Sequence, residues 1–129
     1  MPPFIPQEPP GPLTGIDPGL RRAIEAVLAD YARALEATDA TLLAAARPDL
    51  SAGERERRIA PFAGALGVTA DLRVLDVAVQ GDAAEVPILL AVQVLGGAQA
   101  ARPPLEETLR FERRGGTWVL RARRQGGGR

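Results

Sequence analysis

The chain contains no cysteine, histidine, lysine or asparagine, and only one serine (Ser51), one tyrosine (Tyr31) and one tryptophan (Trp118). Each absence removes a class of chemistry. Without Cys there is no disulfide, thiolate nucleophile or Cys-ligated metal. Without His there is no imidazole base, no Ser-His-Asp triad and no facial metal triad. Without Lys there is no Schiff base and no phosphate-loop lysine. Asp, Glu, Arg, Tyr31, a few Thr and the backbone remain, so a protein without metal or cofactor is expected. Missing Lys and Asn beside abundant Ala, Arg, Gly and Pro read as the codon bias of a GC-rich coding sequence.

Long hydrophobic runs are missing too. The longest apolar stretch, Val86 to Val92, is interrupted by Pro87 and falls far short of the roughly 20 residues a membrane span needs. The N-terminus lacks the basic start and apolar core of a signal peptide. A soluble cytoplasmic protein is the expectation, and the length of 129 residues suits one domain. Sixteen arginines balance sixteen acids, but unevenly. Residues 1–107 carry nine Arg and fifteen acids, net −6, whereas residues 108–129 carry seven Arg and one acid, net +6. Arg110, Arg113, Arg114, Arg121, Arg123, Arg124 and Arg129 thus crowd the C-terminal end. Such a surface suits a solvated sheet edge or an acidic protein partner. Nucleic acid is disfavoured, because Phe111 and Trp118 read as core and few aromatics remain to stack bases.

Residues 1–16, with six Pro and two Gly, predict a disordered lead-in, and 125–129 a flexible tail, leaving a domain over 17–124. Asp17 is a plausible N-cap with Pro18 in the first helical position. Leu20, Ile24, Val27, Leu28, Tyr31 and Leu35 then recur at spacings of three and four, the stripe of an amphipathic helix. A shorter helix from Asp39 carries Leu42, Leu43 and Ala46 and stops at Pro48. Ser51-Ala-Gly-Glu54 matches a capping box, which makes the lone serine a helix cap and not a nucleophile. The third helix turns Ile59, Phe62, Ala63 and Leu66 inward, with a break expected at Pro61. The period then falls to two. Leu72 and Val74 give way to Leu75, Val77 and Val79, a one-residue slip that predicts a bulge. Ala84, Val86, Ile88, Leu90, Val92 and Val94 alternate without a break. Leu105, Leu109 and Phe111 mark a third strand. After Arg114-Gly115-Gly116-Thr117, a fourth carries Trp118, Leu120 and Ala122. Three helices followed by a four-stranded antiparallel meander give an α+β fold with helices on one face of a curved sheet.

Three stretches carry a resemblance to the NTF2-like (SnoaL-like, cystatin-like cone) superfamily. They are the opening helix IEAVLADYARALEATD, the segment RPDLSAGERERRIAPFAGA, and the closing LRFERRGGTWVLRARR, a strand, a Gly-Gly turn and a Trp-bearing strand. The chain looks most like the non-catalytic accessory variant of bacterial proteins. The resemblance implies a cone in which the first helix lies across a bent sheet. A pocket opens between them, formed here by Tyr31, Leu35, Phe62, Leu90, Phe111 and Trp118. The superfamily includes isomerases, dehydratases and binding or dimerisation modules, so the fold does not decide the function.

Enzymes of this superfamily place acids and bases on inner strand faces. Leu105, Glu107, Leu109 and Phe111 share one face, which makes Glu107 the candidate buried carboxylate, with Tyr31 a donor across the pocket. If Leu75, Val77 and Val79 face inward, Asp71 and Arg73 share their parity, and Arg73 or Arg113 becomes a candidate partner for Glu107. The outer face of the second strand, with Leu89, Ala91 and Leu95, is apolar enough to predict a covered sheet and a homodimer. Three functions follow. The first is a non-catalytic binding and dimerisation module holding a small apolar ligand. The second is a cofactor-independent isomerase or dehydratase using Glu107 and Tyr31. The third is a protein-interaction domain using the Arg-rich hairpin.

Overall fold

The computed structural model describes Leu13 and residues 15–62, 64–95 and 104–121. The expected lead-in, apart from Leu13, Gly15 and Ile16, and the expected tail lie outside these residues, as do Ala63, Ala122, Arg123, Arg124 and Arg129. Leu13 and Ile16 pack against the core, just before the first helix.

Helix α1 (Pro18–Glu36) opens on Asp17, whose carboxylate accepts from the Leu20 amide at 3.1 Å. The same oxygen accepts from the Trp118 indole at 3.1 Å, fastening the helix start to the last strand. The Leu20 amide above all holds the Asp17 carboxyl below its usual range. The stripe Leu20, Ile24, Tyr31, Ala34 and Leu35 is buried. The helix ends in a Schellman pair, Asp39 N–H to Ala34 C=O and Thr38 N–H to Leu35 C=O, both 3.0 Å. Thr38 holds the left-handed position (φ 48°) that glycine usually fills. Helix α2 (Ala40–Ala46) buries Leu43 and Ala46. Helix α3 (Ala52–Ile59) has both halves of its capping box: the Ser51 hydroxyl accepts from the Glu54 amide at 3.2 Å, and the Glu54 carboxylate accepts from the Ser51 amide at 3.1 Å. Pro61 sits in a 3-10 turn (Ala60–Phe62) that ends the helix. Phe62 is buried, but Leu66 is 83% exposed. Helical spacing does not reach residue 66, because the helical segment has already ended.

Among the described residues the sheet has five strands: β1 (Gly67–Val74), β2 (Ala78–Gln80), β3 (Ala83–Leu95), β4 (Leu105–Arg114) and β5 (Thr117–Leu120). The order is β1-β3-β4-β5, with β2 on the same side of β3 as β1, and all pairing is antiparallel. Val74 pairs with Ile88 and Ala78 with Glu85, so residues 75–77 stand opposite only 86–87. This is the one-residue bulge, and it divides the expected first strand in two. It also changes which residues face inward. Leu72 and Val74 lie on the core, whereas Asp71 and Arg73 face out and pair with each other at 3.5 Å. The β4–β5 connection is a two-residue turn with φ 57° at Gly115 and 82° at Gly116, the backbone of a type I′ hairpin. At the sheet edge, the Glu36 carboxylate accepts from the Ala70 amide at 3.0 Å, which occupies one free donor of β1. Ala84, Val86, Ile88 and Leu90 of β3 and Leu109 and Phe111 of β4 meet α1 in a single core. No helix among the described residues is long and apolar enough to cross a membrane.

Candidate functional site

Helices α1 and α3 and the C-cap of α2 each contribute a polar side chain to a cluster closed by the sheet. Strand β4 turns Glu107 inward, opposite Ile88. Its Oε2 accepts from the Tyr31 hydroxyl of α1 at 2.7 Å. Its Oε1 accepts from Arg47 Nη1, at the C-cap of α2, at 3.1 Å and from Arg58 Nη2 of α3 at 2.9 Å. Arg47 Nε and Nη2 grip Asp49 in a two-pronged bond of 2.9 and 2.7 Å. Its guanidinium also lies 4.9 Å from the centre of the Tyr31 ring. The side chains of Arg47, Asp49, Glu107 and Arg58 are 2%, 4%, 9% and 16% exposed, and Tyr31 is wholly buried.

Taking such charges from water costs several kcal/mol per ion, by order of magnitude, and is offset only when each is paired and hydrogen-bonded. Two arginines against two carboxylates meet that condition. Burial, then the facing Glu107 charge, pushes the Tyr31 phenol well above its ordinary range, so it stays a proton donor. Burial opposes the charge on Arg47, but the Asp49 hydrogen bond and the Glu107 and Asp49 charges outweigh it and hold the guanidinium above its usual value. One atom is left over: Arg58 Nε is buried with no partner among the described residues, a condition that costs about 1–3 kcal/mol. Arg73 and Arg113 do not take part. Arg73 pairs with Asp71 at 3.5 Å, and Arg113 pairs with Asp82 at 2.7 Å while lying 5.5 Å from the Trp118 ring.

Beside the cluster lies a cavity of about 280 Å³. Leu35 of α1, Pro61 and Phe62, Leu90 and Val92 of β3, and Pro104 and Leu105 at the start of β4 form its apolar wall, and Arg57 and Arg58 its polar side. Of the six expected pocket residues, Leu35, Phe62 and Leu90 line this cavity. Tyr31 is turned to Glu107, and Phe111 and Trp118 are buried in the core. Neither Glu107 nor Tyr31 lines it. Among the described residues, no group of His, Cys, Asp and Glu is placed to hold a metal ion.

On the outer face, Leu89 and Ala91 are half-buried and Leu95 is 70% exposed. Leu89 stands between Arg73 and Glu106, and Ala91 beside Asp71. In the final hairpin, Arg113 is paired with Asp82, and Arg114 and Arg121 share Glu112.

Arg47, Asp49 and Arg58 were not singled out by the sequence, although a signal exists. Arg47 follows Leu43 and Ala46 at i+4 and i+1, on the buried stripe of α2, and Arg58 precedes buried Phe62 by four. A cation at an apolar position of a helix marks a buried ion pair.

No protein-family model matches the chain, and no curated sequence matches it significantly. Its structure is similar to that of a provisionally assigned dehydratase of the NTF2-like family from Streptomyces avermitilis, at 19% identity and a TM-score of 0.52, over 77% of this chain and 88% of that one. It is also similar to a provisionally assigned scytalone dehydratase from Novosphingobium aromaticivorans, at 15% identity and a TM-score of 0.50, over 77% of each chain. With three helices laid against a curled antiparallel sheet, the chain has the NTF2-like fold, an α+β cone.

Proposed function

We propose that the domain is a binding module that holds a small, largely apolar ligand in the cone and makes or breaks no bond there. The observation that supports this is the separation of the cavity from the acid–base groups. A general base must come within about 2.6–3.2 Å of the proton it takes. The Glu107 oxygens instead receive three donors at 2.7, 3.1 and 2.9 Å, and the carboxylate does not line the cavity. Glu107 and Tyr31 on this reading fasten the helices to the sheet. The outer sheet face is given to a second copy, with Leu89 and Ala91 as its apolar centre. The test is titration with octan-1-ol, a neutral apolar probe, followed by calorimetry and by methyl NMR of Leu35, Leu90 and Val92. Saturable binding that Leu105→Trp blocks is expected. Absence of binding at millimolar concentration overturns the proposal.

The Tyr31–Glu107 hydrogen bond favours a second reading, a cofactor-independent isomerase or dehydratase. Substrate would first have to draw Arg58 away from Glu107. Incubation with hydroxyketones, with loss of water followed by mass spectrometry, separates the two. Turnover that Glu107→Gln abolishes, in a variant that circular dichroism shows to be folded, supports the enzyme.

A further inference from the structure

We infer that the ligand is an anion: a small acid whose apolar body fills the cavity and whose carboxylate sits against Arg57 and Arg58. This rests on the cavity being a ligand site, and adds the charge of what enters it.

The argument begins with what the wall offers. Leu35, Phe62, Leu90 and Val92 provide an apolar interior that a free inorganic ion has no reason to enter. Two consecutive guanidiniums border that interior. Arg58 spends Nη2 on Glu107 and adds its positive charge to the polar side of the cavity. Arg57 is exposed and makes no ion pair among the described residues. The guanidinium fork matches a carboxylate with two parallel bonds, and the exposed Arg57 brings such a fork to the cavity wall.

No carboxylate among the described residues lines this cavity to compete with such a ligand. Glu54 approaches the same two arginines from an adjoining depression of about 170 Å³, where its Oε1 accepts from the Ser51 amide of the capping box. Size narrows the ligand further. At about 280 Å³ the cavity exceeds the roughly 150 Å³ that admits benzene and falls just short of the roughly 300 Å³ where drug-sized pockets begin. A medium-chain or single-ring acid fits that interval.

The test compares two eight-carbon probes, one with an anionic and one with a neutral head group, octanoate and octan-1-ol, titrated onto the full chain. Octanoate is expected to bind about tenfold more tightly at low salt, about 1.4 kcal/mol, and to lose that margin as ionic strength rises. Arg57→Gln, at an exposed position with no ion pair among the described residues, should remove most of the margin between the two probes. Arg58→Gln should reduce it as well, with circular dichroism confirming the fold. Equal affinity for the two probes, or a margin untouched by Arg57→Gln, overturns the anion inference while leaving an apolar site standing. Failure of both probes overturns the binding module itself, and this inference with it.

Discussion

Alkaline titration isolates one side chain of this protein. The chain has no Cys, His or Lys, and Tyr31 is its only tyrosine. Between the carboxylates and the arginines, therefore, only the Tyr31 phenol and the terminal amine titrate. Burial of the ring, and next the Glu107 charge facing it at 2.7 Å, raise the folded-state value above the ordinary 10.0. The native state keeps the proton where the unfolded chain has lost it. Stability is then fully present below pH 10 and falls as the pH climbs toward the folded value. One proton corresponds to a slope of about 1.4 kcal/mol per pH unit, so about 1.4 kcal/mol is lost by roughly pH 11. Tyrosinate absorbance followed from about pH 8 to 12, with urea unfolding at each pH, measures both quantities. Tyr31→Phe should abolish the slope. It should also cost about 1.5–3 kcal/mol at neutral pH, the worth of a hydrogen bond to a charged group. A native phenol that ionises at the unfolded midpoint while circular dichroism is unchanged refutes the buried Tyr31–Glu107 pair.

Glu107→Gln leaves Arg47 and Arg58 facing a neutral amide and should destabilise the fold by about 3–5 kcal/mol in urea; a loss under about 1 kcal/mol contradicts the ion cluster. Ser51→Ala removes one arm of the α3 capping box and should cost about 1 kcal/mol in the same assay. Thr38→Gly relieves the left-handed backbone at the end of α1 and should stabilise by up to about 1 kcal/mol, and a destabilised variant shows that Thr38 carries no strain. Self-association through the outer sheet face predicts a dimer in light scattering that Leu89→Arg converts to monomer, and a monomeric wild type rules it out.

Much of the fold is local chemistry and was readable from the sequence. Asp17-Pro18, Ser51-x-x-Glu54 and Gly115-Gly116 act over four residues or fewer, and alternation fixes which face of β4 carries Glu107. The same parity, joined to the stripe of α1, turned Tyr31 and Glu107 toward one interior, where they meet across 76 positions of sequence. Parity fails where distance along the cone matters. It puts Phe111 and Trp118 inside without showing that the cavity opens near the other end of the sheet, at Leu90 and Leu105. Arg47 and Arg58 are not legible as a site because their positions read as a helix end and a wet helix face. Only the packing of all three helices on β4 shows that the two arginines share one carboxylate.

Pro87 gives the bulge a role in folding fidelity. The Leu75 amide donates to its carbonyl at 2.8 Å, so the edge on which Pro87 lacks an N–H faces the break between β1 and β2. The missing donor falls where the ladder is already interrupted. Sliding β3 by one residue against β1 would carry Pro87 under a regular rung and strand a carbonyl. The same slide would swing Leu72 and Val74 to the wet face and Arg73 to the core. Alternation alone makes a misaligned hairpin costly, and the proline penalises it again at the backbone. A strand apolar on both faces, and so able to pair either way up, is thereby given one register.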